Sequence, residues 1–168
     1  MRLLALDPGT KTGWAYGNIG QQPVLGTCNF KHDTHAKIFG HALNWIERMA
    51  FDALIIEAPI TPSQKWGATN YGTTQILLGI TAIFMASAEN REAELHLVPI
   101  KTWRAYSLSN GNLDRAAAKA AALKLCQVMK WEVIDDNGAE AAGIFLYGER
   151  IIAPKIARFV EPLLANAI

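Results

Sequence analysis

Hydrophobic positions change period several times along this chain, and each change marks an element. "RLLALD" (2–7) is a short, continuous apolar run that closes on a carboxylate, the pattern of a buried strand. "TGWAYGN" and "PVLGTCNF" read as two further strands, and "IGQQ" between them carries hairpin chemistry. The three predict an antiparallel meander. From Asp33 to Ala50, apolar residues recur at Ala36, Phe39, Leu43, Ile46 and Met49, which is helical spacing, with Asp33 or Thr34 as N-cap. "FDALIIEAP" is of strand length and is closed by Pro59; a strand after a helix predicts a crossover to a parallel neighbour.

Further on, "ITPSQKWGATN" reads as a polar loop. "TTQILLGITAIFMASAEN" is apolar nearly all round, which predicts a buried helix. "ELHLVPI" reads as a strand stopped by Pro99, and "KTWRAYSLSNGN" as a second polar loop. "LDRAAAKAAALKLCQVMK" is rich in good helix formers, and "DDNGAEAAGIFLYGER" opens on two capping residues before an apolar helix. One more short helix is expected from Pro154. The order β-β-β-α-β-α-β-α-α predicts a single α/β domain over residues 1–168, built on a mixed five-stranded sheet flanked by helices.

Composition changes this picture little. Hydrophobic residues make up 51% and charged residues 18%, which suits a globular core and excludes a disordered chain. The net charge of +1 provides no global basic field, so any nucleic-acid contact has to come from a local basic groove. Cys28 and Cys126 stand far apart in no metal-binding spacing and read as reduced thiols. His32, His35, His41 and His96 are scattered, and no zinc site is read from them. The apolar run before Asp7 is too short for a signal segment, and no stretch is expected to reach transmembrane length. A cytoplasmic protein with no membrane partner is expected.

The candidate chemistry lies in the acids. Asp7 and Glu57 each end an apolar strand just before a proline. If those strands are neighbours, both carboxylates emerge at the carboxyl edge of the sheet, where α/β folds place their ligands. Two anions held together repel unless a cation joins them, and hard divalent cations prefer carboxylate oxygen. In "DDNGAE", Asp136 and Glu140 are four residues apart and share a helix face. Four acids at one point could hold two Mg²⁺ ions, a site suited to attack of water on a phosphodiester. Bland readings stay open beside this one: Asp7 as a turn former, Asp135 and Asp136 as caps, Glu140 as a solvated helix residue.

Taken together, "LALDPGTKTGWA", "LIIEAP", "VPIKTWRAYSLSNGNLDRAAAKAAA" and "DDNGAEAAGIFLYG" resemble the RuvC Holliday-junction resolvases, in style the shorter phage-encoded RuvC-like endonucleases. The resemblance implies an RNase H-like fold, a homodimer, Mg²⁺ or Mn²⁺ at a two-metal site, and paired nicking of branched DNA at four-way junctions. It places catalytic, metal-binding acids at Asp7, Glu57, Asp136 and Glu140. The family's last acid is usually Asp followed by Ala; here it is Glu140 followed by Ala141. Arg115 stands where the family commonly has Lys. Lys101, Trp103 and Arg104 look like DNA-backbone contacts, with Trp103 equally open to a role as a core anchor. Lys65, Trp66 and Tyr71 fall where the family reaches into the junction, and stacking on a base or simple loop packing are both open for the two aromatics. "LDPGTKTGWA" also resembles the first phosphate loop of actin-like and sugar-kinase ATPases. The opening is similar to that of the YqgF-like RNA nucleases as well, and a junction-binding protein with a degenerate site is the non-enzymatic alternative.

Overall fold

The apolar run at the start of the chain forms β1 (Arg2–Asp7), the middle strand of the sheet. In the computed structural model, which describes residues 1–59 and 71–155, both of its faces are covered. Alternate residues face opposite ways: Leu3 and Ala5 enter one core cluster, Leu4 and Leu6 the other. Removing each such leucine from water contributes on the order of 1.5–3 kcal/mol.

β2 (Lys11–Asn18) and β3 (Val24–Asn29) complete the antiparallel meander. β4 (Ala53–Glu57) lies parallel to β1 on its other side, and β5 (Glu94–Val98) lies parallel to β4. The sheet order is β3-β2-β1-β4-β5. One face carries α1 (His35–Ile46) and α2 (Tyr71–Glu89); the other carries α3 (Ile100–Ser107), α4 (Arg115–Met129) and α5 (Asp136–Ile152). Cys28 and Cys126 are free thiols, each pushed up to about 11 by burial.

The helix starts follow the sequence closely. The Thr34 side chain accepts from the Lys37 N–H, and that of Asp114 from the Ala117 N–H. Asp135 caps α5 by accepting from the Gly138 N–H at 2.9 Å. The same Asp135 oxygen accepts from Thr27 Oγ1 at 2.7 Å, which ties the start of α5 to β3.

Four expectations are corrected. The segment read as a loop from Lys101 is mostly helix α3, because its buried positions, Trp103 and Ser107, are four apart and lock one face against α5. α1 buries Ile38, Ala42 and Ile46, whereas Ala36 and Leu43 are exposed, so the inward stripe is rotated from the expected one. α2 is not buried all round: Ile80, Phe84 and Ala88 are covered, but Leu78 is 46% exposed. At 19 residues α2 is also long and apolar enough to cross a membrane by length and composition, contrary to the sequence reading, although Ile80, Phe84 and Ala88 pack into a core cluster with α1. Most of the segment expected as a helix after Pro154 lies outside the described residues.

Candidate active site

β1 and β4 run side by side with Leu6 opposite Ile56, so the next residues, Asp7 and Glu57, end both strands at the same edge. After Asp7 the chain turns through Pro8 and Gly9. The buried Thr12 hydroxyl closes that turn, donating to the Gly9 carbonyl at 2.8 Å and accepting from the Gly9 N–H at 3.2 Å. On the antiparallel side Asp7 pairs with Gly13. A Cβ there would lie 2.1 Å from the Asn137 carbonyl oxygen, so only glycine lets the start of α5 rest on β2 beside Asp7.

These ends enclose a cleft of about 820 Å³. It is lined by Asp7, Glu57, Asp136 and Glu140, by Arg104, Arg115 and Lys119, and by Thr73, Ile76 and Leu77 of α2. The four acids named from the sequence therefore share one cavity. Arg104 is 8% exposed and donates through Nη2 to Glu140 Oε1 at 2.8 Å, with Glu140 6% exposed. Lys119 donates to Asp136 Oδ2 at 2.5 Å and holds that carboxyl below its usual range. Trp103 is fully buried; its Nε1–H donates to Glu57 Oε2 at 2.7 Å, which fixes the orientation of that carboxylate. The core reading of Trp103 is the observed one. Its ring sits over Gly143, where a Cβ would come within 2.7 Å of it.

Among the other residues singled out from sequence, Arg115 is exposed at the start of α4 and lines the cleft. Lys101 and Tyr71 are exposed and do not line it. Lys65 and Trp66 lie outside the described residues. Asn137, beside Asp136, also lines the cleft. Sequence reasoning missed Lys119, although "RAAAK" sets it four residues after Arg115 on the same helix face. It also missed Gly13, whose signal was a glycine inside a strand.

Burial raises the Asp7 carboxyl well above the ordinary carboxylate range, and the charges of Glu57 and Glu140 raise it further, against the opposing pull of Arg104 and Lys119. A carboxyl whose folded value exceeds its unfolded one takes up a proton on folding. Its contribution to stability is therefore fully present below the ordinary Asp value and is lost as pH rises through the folded value. Asp7→Asn abolishes this penalty. Melted at neutral pH without divalent metal, the variant is expected to unfold above the wild type, by about 2–4 °C for each kcal/mol of repulsion removed. A lower melting temperature for the variant contradicts this electrostatic picture.

Hard oxygen donors at two adjacent strand ends, with one carboxyl strained by its neighbours' charge, fit a divalent cation. Asp136 and Glu140 fit less directly, since each already holds a base. Among the described residues, no three carboxylate, imidazole or thiol groups form a ready metal cage.

A mixed five-stranded sheet with helices on both faces is an α/β arrangement consistent with an RNase H-like fold. The chain is similar to Thermus thermophilus RuvC, with a TM-score of 0.58 at 12% identity over 86% of this chain and 90% of that one. It is similar to T. thermophilus RuvC in complex with Holliday junction substrate, with a TM-score of 0.57 at 11% identity over 86% and 90%. It is also similar to the yeast mitochondrial Holliday junction resolvase Ydc2, with a TM-score of 0.54 at 13% identity over 99% of this chain and 86% of that one. At these identities the likeness is one of fold. No protein-family model matches the chain, and no curated protein matches it in sequence.

Proposed function

We propose that this chain is a structure-selective DNA endonuclease that hydrolyses phosphodiesters at four-way junctions with the help of Mg²⁺ or Mn²⁺. The observation that carries the reading is the pairing of Asp7 and Glu57 at adjacent strand ends, inside a cleft also lined by four basic residues, Lys11, Arg104, Arg115 and Lys119. Asp7 and Glu57 would hold the metal, which when bound lowers the pKa of a water and offsets charge on the phosphodiester under attack.

The protein's own side chains do the rest. Trp103 holds Glu57 in one orientation, so that carboxylate needs no reorganisation as charge develops. Arg115, exposed at the cleft rim, meets the backbone phosphates. Lys119 keeps Asp136 ionised and adds positive charge to the cleft. Lys101, exposed on α3, and Tyr71, exposed at the start of α2, are proposed as outlying DNA contacts, Tyr71 by stacking. The fold shared with a RuvC solved on a Holliday junction supports the choice of substrate. The test is cleavage of a panel in Mg²⁺ and in Mn²⁺: a four-way junction, a linear duplex, a flap and an RNA of matched sequence. Metal-dependent cleavage confined to the junction is expected; preferential cleavage of the RNA, or of nothing, overturns the reading.

Paired nicking calls for two sites related by a two-fold axis. The uncovered apolar side of α2, which includes Leu78, is the surface proposed to join two copies. Light scattering at micromolar concentration is expected to report a dimer, with Leu78→Glu shifting the mass toward the monomer. A monomer for the wild type, with and without junction DNA, contradicts the assembly.

A further inference from the structure

We infer that Arg104 is the built-in counter-cation of Glu140, so that the cleft takes one divalent ion per chain, on Asp7 and Glu57, instead of two. The inference rests on the hydrolase reading above and narrows its metal site. An arginine stays charged at any working pH, so its guanidinium cannot make way for a metal by losing a proton.

Nor is Arg104 placed to swing aside. It is 8% exposed, its Nη2 is bonded to Glu140 at 2.8 Å, and Nη1 faces the Leu113 carbonyl at 3.5 Å. Its guanidinium carbon lies 5.4 Å from the centre of the buried Trp103 ring, and that ring in turn holds Glu57. Moving Arg104 would strand a buried Glu140 and strip a cation from the indole face, while leaving it in place sets a positive charge against any second metal at Glu140. Asp136 is occupied in the same way by Lys119. A similar logic accounts for Glu140 itself: the side chain facing Arg104 is engaged in a charge-assisted hydrogen bond of ordinary length, which is a stable use of a carboxylate without metal.

Arg104 also keeps a donor in reserve. Its Nε–H is buried and has no hydrogen-bond partner among the described residues. Arg104 lines the same cleft as Asp7, so its fixed positive charge stands beside the phosphate being cleaved without Arg104 having to move. The guanidinium would then neutralise developing charge where a second metal would otherwise do so.

The experiment counts metal ions. Mn²⁺ is titrated calorimetrically into the full-length chain, and Mn²⁺ anomalous scattering is recorded from crystals of the chain with an uncleavable four-way junction. One ion per active site is expected in both. Two ions in either, with junction cleavage intact, overturn this inference and leave the hydrolase reading standing; no bound ion overturns both. Arg104→Gln is expected to raise the count from one to two, and Arg104→Lys to keep it at one. A folded Arg104→Gln protein that still binds one ion overturns the role given to Arg104, and the wild-type count decides alone should that variant fail to fold.

Discussion

Asp7→Asn is expected to bind a four-way junction as tightly as the wild type, or more tightly, and to nick it at least about 10³-fold more slowly. Asp7 ends β1 beside Glu57 and is the carboxyl most burdened by its surroundings. The amide preserves shape but exchanges one acceptor oxygen for an NH2 donor and loses the negative charge that draws a cation into the cleft. Junction binding does not require that charge, and removing an anion from a surface that meets phosphates favours binding. Nicking is read under single-turnover conditions and affinity by gel shift in the presence of Ca²⁺. Comparable nicking by variant and wild type would move the chemistry elsewhere in the molecule. Weak junction binding with unchanged folding would show instead that Asp7 serves recognition.

Gly13→Ala is the second large effect. Gly13 carries no charge and binds nothing, yet its missing side chain sets how closely α5 approaches the sheet beside Asp7. The added methyl would sit 2.1 Å from the Asn137 carbonyl oxygen and 3.2 Å from its Cα, both of them backbone atoms. Backbone at the start of a helix cannot rotate out of the way as a side-chain tip can, so α5 must shift. Overpacking of this kind costs about 1–3 kcal/mol of stability. The shift also carries Asp136 and Glu140 away from Asp7, and a displacement of about 1 Å at a reacting centre can lower the rate by about 10²-fold. The expected outcome is a folded protein of lower melting temperature whose nicking falls by about that factor. Wild-type nicking by a folded Gly13→Ala protein would mean that the position of α5 does not matter to the chemistry.

The backbone of the fold was legible because its signals are local. "RLLALD" and "ALIIE" are continuous apolar runs of strand length, and each helix with a legible start has its Thr or Asp cap where the sequence places one. The parallel pairing of β1 with β4 followed from a helix lying between two such runs. The acids of the site were legible for the same reason, since a carboxylate that ends a buried strand needs an explanation.

What the sequence concealed depends on contacts between distant segments. α3 looked polar because Lys101, Thr102, Arg104 and Ser107 interrupt its apolar positions, whereas its buried side is decided by the fit of Trp103 over Gly143, some forty positions away. Arg104 read as a DNA-backbone contact because nothing local reveals that Glu140 will face it. Similarly, α2 read as buried on composition alone, and no feature of its own sequence tells which apolar positions the domain leaves uncovered. The rotated stripe of α1 is a smaller case: Ile38, Ala42 and Ile46 form a four-residue ladder as regular as the one expected, and only α2 and the sheet select between them.

The central claim, hydrolysis at the exchange point of a junction by the Asp7–Glu57 cleft, is tested most directly by mapping nicks on a four-way junction labelled in turn on each strand. The wild-type chain, incubated with Mn²⁺ or Mg²⁺, is predicted to cut two strands of like polarity at symmetry-related phosphates close to the crossover, and to cut none when the metal is chelated. An intact junction in both metals, or nicks scattered along the arms regardless of the crossover, would contradict the account.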